Sequence, residues 1–270
     1  MAPAGRIPPA RCAALERNGY ARLRDLDDPE YACVVRAMEG YQAEFLARTR
    51  ELWGRDFPIS PDALGHFSRQ WEYPYAWVNL GPADGPVLDA GSGLTFFPFL
   101  LASAGRAVTC CDSDGTLGLP ARYAEAAART GCAVAFTDVS LAERPFDDGT
   151  FGAAACISVL EHVGDEREAV IESLATALRP GGRLVLTLDV DLRGDGDLGL
   201  EDAAVVLAEL GEWFDFVHPL DLGRPPDLLT SEAFLSTATW RLPRVWRPSR
   251  TVRPAAFRTV AVLAVTAVKR

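Results

Sequence analysis

The residues with the clearest chemistry begin at Asp89, two positions ahead of the turn Gly91-Ser92-Gly93. Glycines let the backbone turn tightly and approach a ligand, and a helix start behind them offers unpaired N–H groups. Nicotinamide and flavin enzymes use the same device, so the turn alone does not choose a ligand. A dinucleotide fingerprint needs a further glycine where this chain has Phe96, and a carboxylate at position 89 would face an anionic pyrophosphate. Negative charge there suits a cationic ligand, one carrying an ammonium or a sulfonium.

Two more acids follow at regular intervals. The run "VTCCDSD" places Asp112, with Ser113 beside it, about twenty residues after Gly91, where a carboxylate can accept from both hydroxyls of a ribose. Asp112 reads equally as a loop residue capping the next helix. The run "AFTDVS" ends in Asp138 and Val139, positioned to meet an adenine amino group, and "ISVLEHV" brings Ser158, Glu161 and His162 to the same level. His162, with an ordinary imidazole pKa near 6.5, is the candidate general base; the competing reading makes Glu161-His162 a helix-start element. Asp189, Asp191 and His218 are weaker candidates.

The elements that must position these residues are legible as short apolar runs bounded by Gly, Asp or Pro, alternating with Ala-rich helical stretches from Pro86 onward, the pattern of a parallel α/β sheet. The expected strands are "PVLDA", "AVTCCD", "AVAFTD", "FGAAACIS", "RLVLTLDV", "TWRLPRVW" and "RTVAVLAVTAV"; helices are expected over "FFPFLLASAG", "LPARYAEAAARTG", "EREAVIESLATALRPGG" and "GLEDAAVVLAELGEWFDFV". Helical spacing over about Ala10 to Trp53 predicts a helical N-terminal region. The Pro-interrupted aromatic stretch after it carries Trp71, Tyr73, Tyr75 and Trp77, which either close over a ligand as a lid, with Tyr73 against a bound cation, or pack the N-terminal helices onto the sheet.

In this order the pieces "VLDAGSG", "CDSD", "FTDVSLAERPFDDGTFGAAACISVLEHV" and "ALRPGGRLVLT" resemble the class I S-adenosylmethionine-dependent methyltransferases, in particular the small-molecule, type 11-like branch, over roughly Pro86 to Asp189. The resemblance implies a Rossmann-like, seven-stranded, mostly parallel sheet with an antiparallel last strand, flanked by helices, and S-adenosylmethionine as cofactor. It divides the chain into residues 1–80, a helical N-terminal region or lid, and 81–270, the cofactor-binding domain. Asp89, Gly91, Ser92 and Gly93 would then line the methionine end, Asp112 and Ser113 the ribose, and Asp138 and Val139 the adenine, with Ser158 and Tyr73 also near the cofactor. The sequence departs from the family pattern at Thr95, where a third glycine is common, and in the bulky "FFPF" that follows. Pro98 is compatible with a first helical turn, whose N–H groups are unpaired anyway.

Composition narrows the acceptor. With 27 Lys plus Arg against 37 Asp plus Glu, a net charge of −10 disfavours a polyphosphate substrate. Arginines from Arg241 to Arg258 form the one local basic excess, read as a solvated face. Neither the Asn/Asp-Pro-Pro-aromatic motif of nucleic-acid amino-methyltransferases nor the Pro-Cys of cytosine enzymes occurs in "ACISVLEHV". The expected acceptor is a small or medium-sized organic molecule methylated on O, N or C, conceivable in natural-product metabolism, with no nucleic-acid or membrane partner. The six cysteines show no metal-site spacing, so no metal is expected, and they read as reduced thiols. With no signal-peptide pattern and no apolar run of membrane-spanning length, the expected location is cytoplasmic. A nicotinamide-dependent oxidoreductase and a catalytically silent methyltransferase-like binding protein are the alternatives; the oligomeric state is left open.

Overall fold

The computed structural model describes residues 8–53, 61–81, 85–113, 117–193, 197–232 and 259–270. Its centre is a run of five parallel strands: β2 (Val87–Ala90), β3 (Val108–Asp112), β4 (Val134–Asp138), β5 (Phe151–Ile157) and β6 (Leu178–Asp191). The spatial order is β4-β3-β2-β5-β6, continued by the antiparallel β9 (Val260–Lys269). Strands β2 and β5 are buried at every position and, Asp89 apart, carry no charged or polar side chain, as expected for strands covered on both faces. The edge strand β4 alternates between half-buried and exposed.

Helices cover both faces. On one lie α1 (Pro29–Thr49), α2 (Arg69–Leu80), α3 (Phe97–Ser103) and α4 (Leu119–Thr130); on the other lie α5 (Arg167–Ala177) and α6 (Leu200–Trp213). α1 starts where Asp28 accepts from the N–H groups of Glu30 (2.8 Å) and Tyr31 (3.1 Å), with Pro29 in the first turn. Its buried face, Tyr31, Val34, Val35, Met38, Tyr41 and Phe45, follows helical spacing.

Besides the helix expected over "EREAVIESLATALRPGG", which stops at Ala177 where β6 begins, the sequence-based reading differs from the structure in three places. Asn18–Tyr20, inside the stretch expected to be helical, forms β1, paired antiparallel with β9 at Gly19↔Ala264 and Tyr20↔Leu263. The reason is tertiary: Asn18 Nδ2 donates to the carbonyls of His218 (2.9 Å) and Thr266 (3.1 Å), and Oδ1 accepts from Thr266 N–H (2.7 Å). Second, the expected helix over 199–217 stops at Trp213, and Phe214–Phe216 forms β7 against the far end of the same edge of β9. A two-residue β8 (Leu220–Asp221) runs parallel to β1. Third, the aromatic Pro-interrupted stretch contains a full helix, α2. Pro74 removes the N–H that would bond to Gln70, and the freed carbonyl accepts from Tyr31 Oη at 2.9 Å instead. The expected strand "TWRLPRVW" and the whole basic segment from Arg241 to Arg258 lie outside the described residues.

Candidate active site

Strand order reverses between β2 and β5, and in open parallel sheets the crevice beyond such a switch point is where ligands sit. The Gly-Ser-Gly turn occupies that position. Gly91 has φ +65°, its N–H donates to Cys111 O (2.8 Å), and a Cβ on it would lie 2.4 Å from Val159 Cγ2. Gly93 has φ +52°, yet a Cβ there would meet nothing within 4 Å, so its outer side is open to a ligand. Its N–H donates to Asp112 Oδ2 (2.7 Å), while Oδ1 accepts from Ser113 N–H (2.8 Å). From α4, Tyr123 Oη donates to Gly93 O (2.8 Å) and stands 3.1 Å from Ser92 Oγ. Thr95 fills the place of the family's third glycine by capping α3: its hydroxyl accepts from Phe97 N–H at 3.3 Å.

The opposite wall comes from α2. Arg69, Glu72 and Tyr73 share one helical face, and Glu72 is fully buried. Glu72 Oε1 accepts from Ser158 Oγ (2.6 Å) and Thr187 Oγ1 (2.7 Å), and its other oxygen pairs with Arg69. Arg69 also donates to Ser158 Oγ. Ser158, at the end of β5, has φ +49°, an unusual backbone state for a residue with a Cβ, held by its N–H to Thr187 O (3.1 Å) and by the Glu72 bond. Tyr73 stacks on Phe97 at 4.9 Å between ring centroids and meets Phe96 edge-on.

Burial and charge set the protonation states. Burial, reinforced by the charge of Asp112, pushes Asp89 up to about 7. Glu161, buried with Oε1 accepting from Asp189 N–H (3.0 Å) and Oε2 without a hydrogen-bond partner, is also pushed up to about 7, chiefly by burial. Asp189 is also raised well above its ordinary value, by burial and by the charges of Glu72 and Glu161. Burial opposes ionisation of Glu72 too, but the Arg69 guanidinium and the two hydroxyls hold it below its ordinary value. Four carboxyl groups in one region are thus divided between one stabilised anion and three that release their protons late.

These walls enclose a cavity of about 400 Å³ lined by Tyr73, Asp89, Gly91, Ser92, Gly93, Asp112, Ser158 and His162 among the expected residues. Ser113, Asp138 and Val139 lie beyond it along the same sheet edge, with Asp138 opposite Asp112 in register. His162 stands at the mouth, its side chain 60% exposed and Nδ1 3.7 Å from Asp197 Oδ2. Of the four aromatics of α2, only Tyr73 reaches the cavity: Trp71 Nε1 donates to Asp25 (3.0 Å), Tyr75 Oη to Arg17 O (2.9 Å) and Trp77 Nε1 to Pro9 O (3.0 Å). Sequence reasoning missed Asp62, His66, Arg69 and Thr95 as lining residues and Glu72 as their support. A sequence signal existed for Arg69 and Glu72, an i, i+3 charge pair inside an aromatic run.

Residues 88–186 match a family model described as a methyltransferase domain. A ubiquinone biosynthesis O-methyltransferase of Xanthomonas axonopodis pv. citri (strain 306) is 32% identical over 194 residues, covering 66% of this chain and 74% of the relative. The chain belongs to the class I S-adenosylmethionine-dependent methyltransferases. The O-methyltransferase of the same description from Xanthomonas campestris pv. campestris (strain B100) is 28% identical over 219 residues, covering 76% of this chain and 84% of the relative. Among solved structures, the N-methyltransferase NodS from Bradyrhizobium japonicum WM9, in complex with S-adenosyl-l-homocysteine, superposes with a TM-score of 0.50 at 16% identity over 83% of this chain and 97% of that one, a likeness of fold. As in this methyltransferase family, the methyl donor is S-adenosylmethionine. The residues present fit it: the open side of Gly93 leaves room for a ligand against the turn, the buried Asp89 faces the cavity as a partner for an ammonium, and Arg69 lines the same cavity as a partner for a carboxylate. Among the described residues, no helix is long and apolar enough to cross a membrane.

Proposed function

We propose that this methyltransferase transfers the methyl group of S-adenosylmethionine to a hydroxyl of a small organic acceptor in the cytoplasm. The observation that carries this reading is the presence of the Asp89 carboxyl and the Arg69 guanidinium on one cavity beside the Gly91–Gly93 turn, groups suited to the ammonium and the carboxylate of an amino-acid end. Asp112, at the next strand end, would accept from the ribose hydroxyls, with Ser113 beside it; Asp138 and Val139 stand along the edge for the adenine. Ser92, Tyr73 and Ser158 complete the wall. The bound cofactor supplies an electrophilic methyl on a sulfonium; the chain's own work is to align the acceptor, exclude water and take up the hydroxyl proton. Two histidines line the cavity for that last task, His66 and His162. The choice of oxygen follows the O-methyltransferase relatives, and the choice of a small acceptor the cavity of about 400 Å³ and the net charge of −10. All six cysteines are free thiols, in keeping with a reducing compartment.

Calorimetric titration with S-adenosylhomocysteine tests the cofactor half. The parent should bind, and Asp112→Ala should bind about 10- to 100-fold more weakly, the range for losing hydrogen bonds to a charged group. A parent that does not bind, or an Asp112→Ala variant that binds equally well, overturns the reading.

A further inference from the structure

We propose that His66 is the general base for the acceptor hydroxyl, with Ser68 fixing which of its ring nitrogens faces the cavity. The inference rests on methyl transfer to a small hydroxyl acceptor and names the residue that serves it. His66 sits between the 3-10 turn Ala63–Gly65 and the start of α2, on the wall of the cavity that also holds Asp89 and Ser158. Its ring is backed by Phe67, with centroids 5.2 Å apart. Nδ1 lies 3.0 Å from Ser68 Oγ.

Ser68 is the residue ahead of α2, where a serine ordinarily accepts from an N–H of the first turn. Here it makes no such bond and is fully buried. Its hydroxyl is turned instead to His66. With Nδ1 engaged by Ser68, Nε2 is the ring nitrogen left for a ligand. His162 stands at the mouth with its side chain 60% exposed, and its neighbour Asp197 is 52% exposed, so water competes for that contact.

When Ser68 Oγ accepts from Nδ1–H, the lone pair is on Nε2, the base-competent form. In the transfer, the acceptor O–H bond breaks and its proton goes to Nε2. The oxygen's electron pair forms the new bond to carbon, the carbon–sulfur pair stays with the departing thioether, and the imidazolium returns its proton to water. His66 faces Arg69 and Glu72, and burial together with the guanidinium lowers it, so the neutral, base-competent imidazole is gained as pH rises.

The test uses the full chain with S-adenosylmethionine and three probes, catechol, hydroquinone and 3,4-dihydroxybenzoate, counting transferred methyl across pH. His66→Gln should lower kcat/KM by about 100-fold or more while S-adenosylhomocysteine still binds, and Ser68→Ala should lower it by about tenfold. The chain has three histidines, so the ring signals of His66 can be assigned from the single variant. Nitrogen NMR of the parent at alkaline pH should show hydrogen on Nδ1 and a bare Nε2, a preference that Ser68→Ala should weaken. His66→Gln at parental kcat/KM, or a parent with hydrogen on Nε2 at high pH, overturns the assignment. If His66→Gln fails to fold, the parental tautomer decides. A parent that binds S-adenosylhomocysteine but methylates none of the probes counts against the hydroxyl-acceptor reading, and the base falls with it; His66→Gln at full activity sinks the base alone.

Discussion

Replacing Asp89 with Asn should make the ligand-free protein more stable, and increasingly so as pH rises. Asp89 is buried at the end of β2, and its carboxyl is pushed from 3.8 to about 7 by burial and by Asp112. Because the folded-state value is raised, the stability this group contributes is fully present below about pH 4 and is lost as pH climbs to about 7. A difference of about three pH units corresponds to about 4 kcal/mol at full ionisation. Roughly half of that is already lost at about pH 5.5, leaving about 2 kcal/mol to separate the parent from Asp89→Asn between about pH 5.5 and 8.5. For a chain of this size that is a gap in Tm widening by about 5 °C. Glu161 and Asp189 titrate in both proteins and drop out of the comparison. Denaturant or thermal unfolding at the two pH values reads the gap directly. The same reasoning requires that a bound ammonium restore the ionised form, so S-adenosylhomocysteine should release a proton from the parent near pH 6.5. Calorimetry in buffers of different ionisation enthalpy would detect it, and Asp89→Asn should bind more weakly and release none. A stability gap that does not grow with pH, or binding by the parent without proton release, would refute the account of Asp89 as a carboxyl held neutral until ligand arrives.

Gly91→Ala should lose about 2 to 4 kcal/mol of stability, because the methyl would lie 2.4 Å from Val159 Cγ2 on a backbone with φ +65°; Val159→Ala in the same chain should recover part of it in urea unfolding, and no recovery would remove Val159 as the cause. Glu72→Gln should cost about 3 kcal/mol at neutral pH, the lower end for breaking a buried pair since Arg69 is 24% exposed. Glu72 has a depressed folded-state value, so its contribution is present above its ordinary value of 4.5 and fades as pH falls below it. The gap between Glu72→Gln and the parent should therefore shrink on acidification, and a gap constant with pH would count against the ion pair.

The local parts of this site were legible because each is a short stretch of chain with its own physical signature. Asp89 and the Gly91–Gly93 turn announce themselves by a strand ending in an acid before residues that tolerate positive φ, and Asp112 and Asp138 repeat the strand-end pattern at β3 and β4. Their convergence on one edge follows from parallel strands, which is why an alternation of apolar runs and helices was enough to place them together. Thr95 was visible as a departure, but its use as the cap of α3 was not, since a hydroxyl one residue from an apolar run has no fixed partner in sequence.

Position 69 illustrates what the sequence did not determine. Arg69, His66 and Ser68 stand about twenty residues ahead of Asp89, in a stretch whose prolines and aromatics suggested a lid, and nothing local says that Pro74 sits inside a helix. That helix exists because Tyr31 of α1 satisfies the carbonyl Pro74 leaves free, and because Ser158 and Thr187 from two different strands bond to Glu72. β1 is similar, a three-residue strand made by Asn18 bonding to β9 across nearly the whole chain. By itself, the sequence determined the five parallel strands and the acids at the ends of β2, β3 and β4, because alternation and turn chemistry act over a few residues. Only the tertiary structure decided which cation faces those acids and which histidine is held by a buried partner, because burial and hydrogen bonding between distant segments set both charge state and aim.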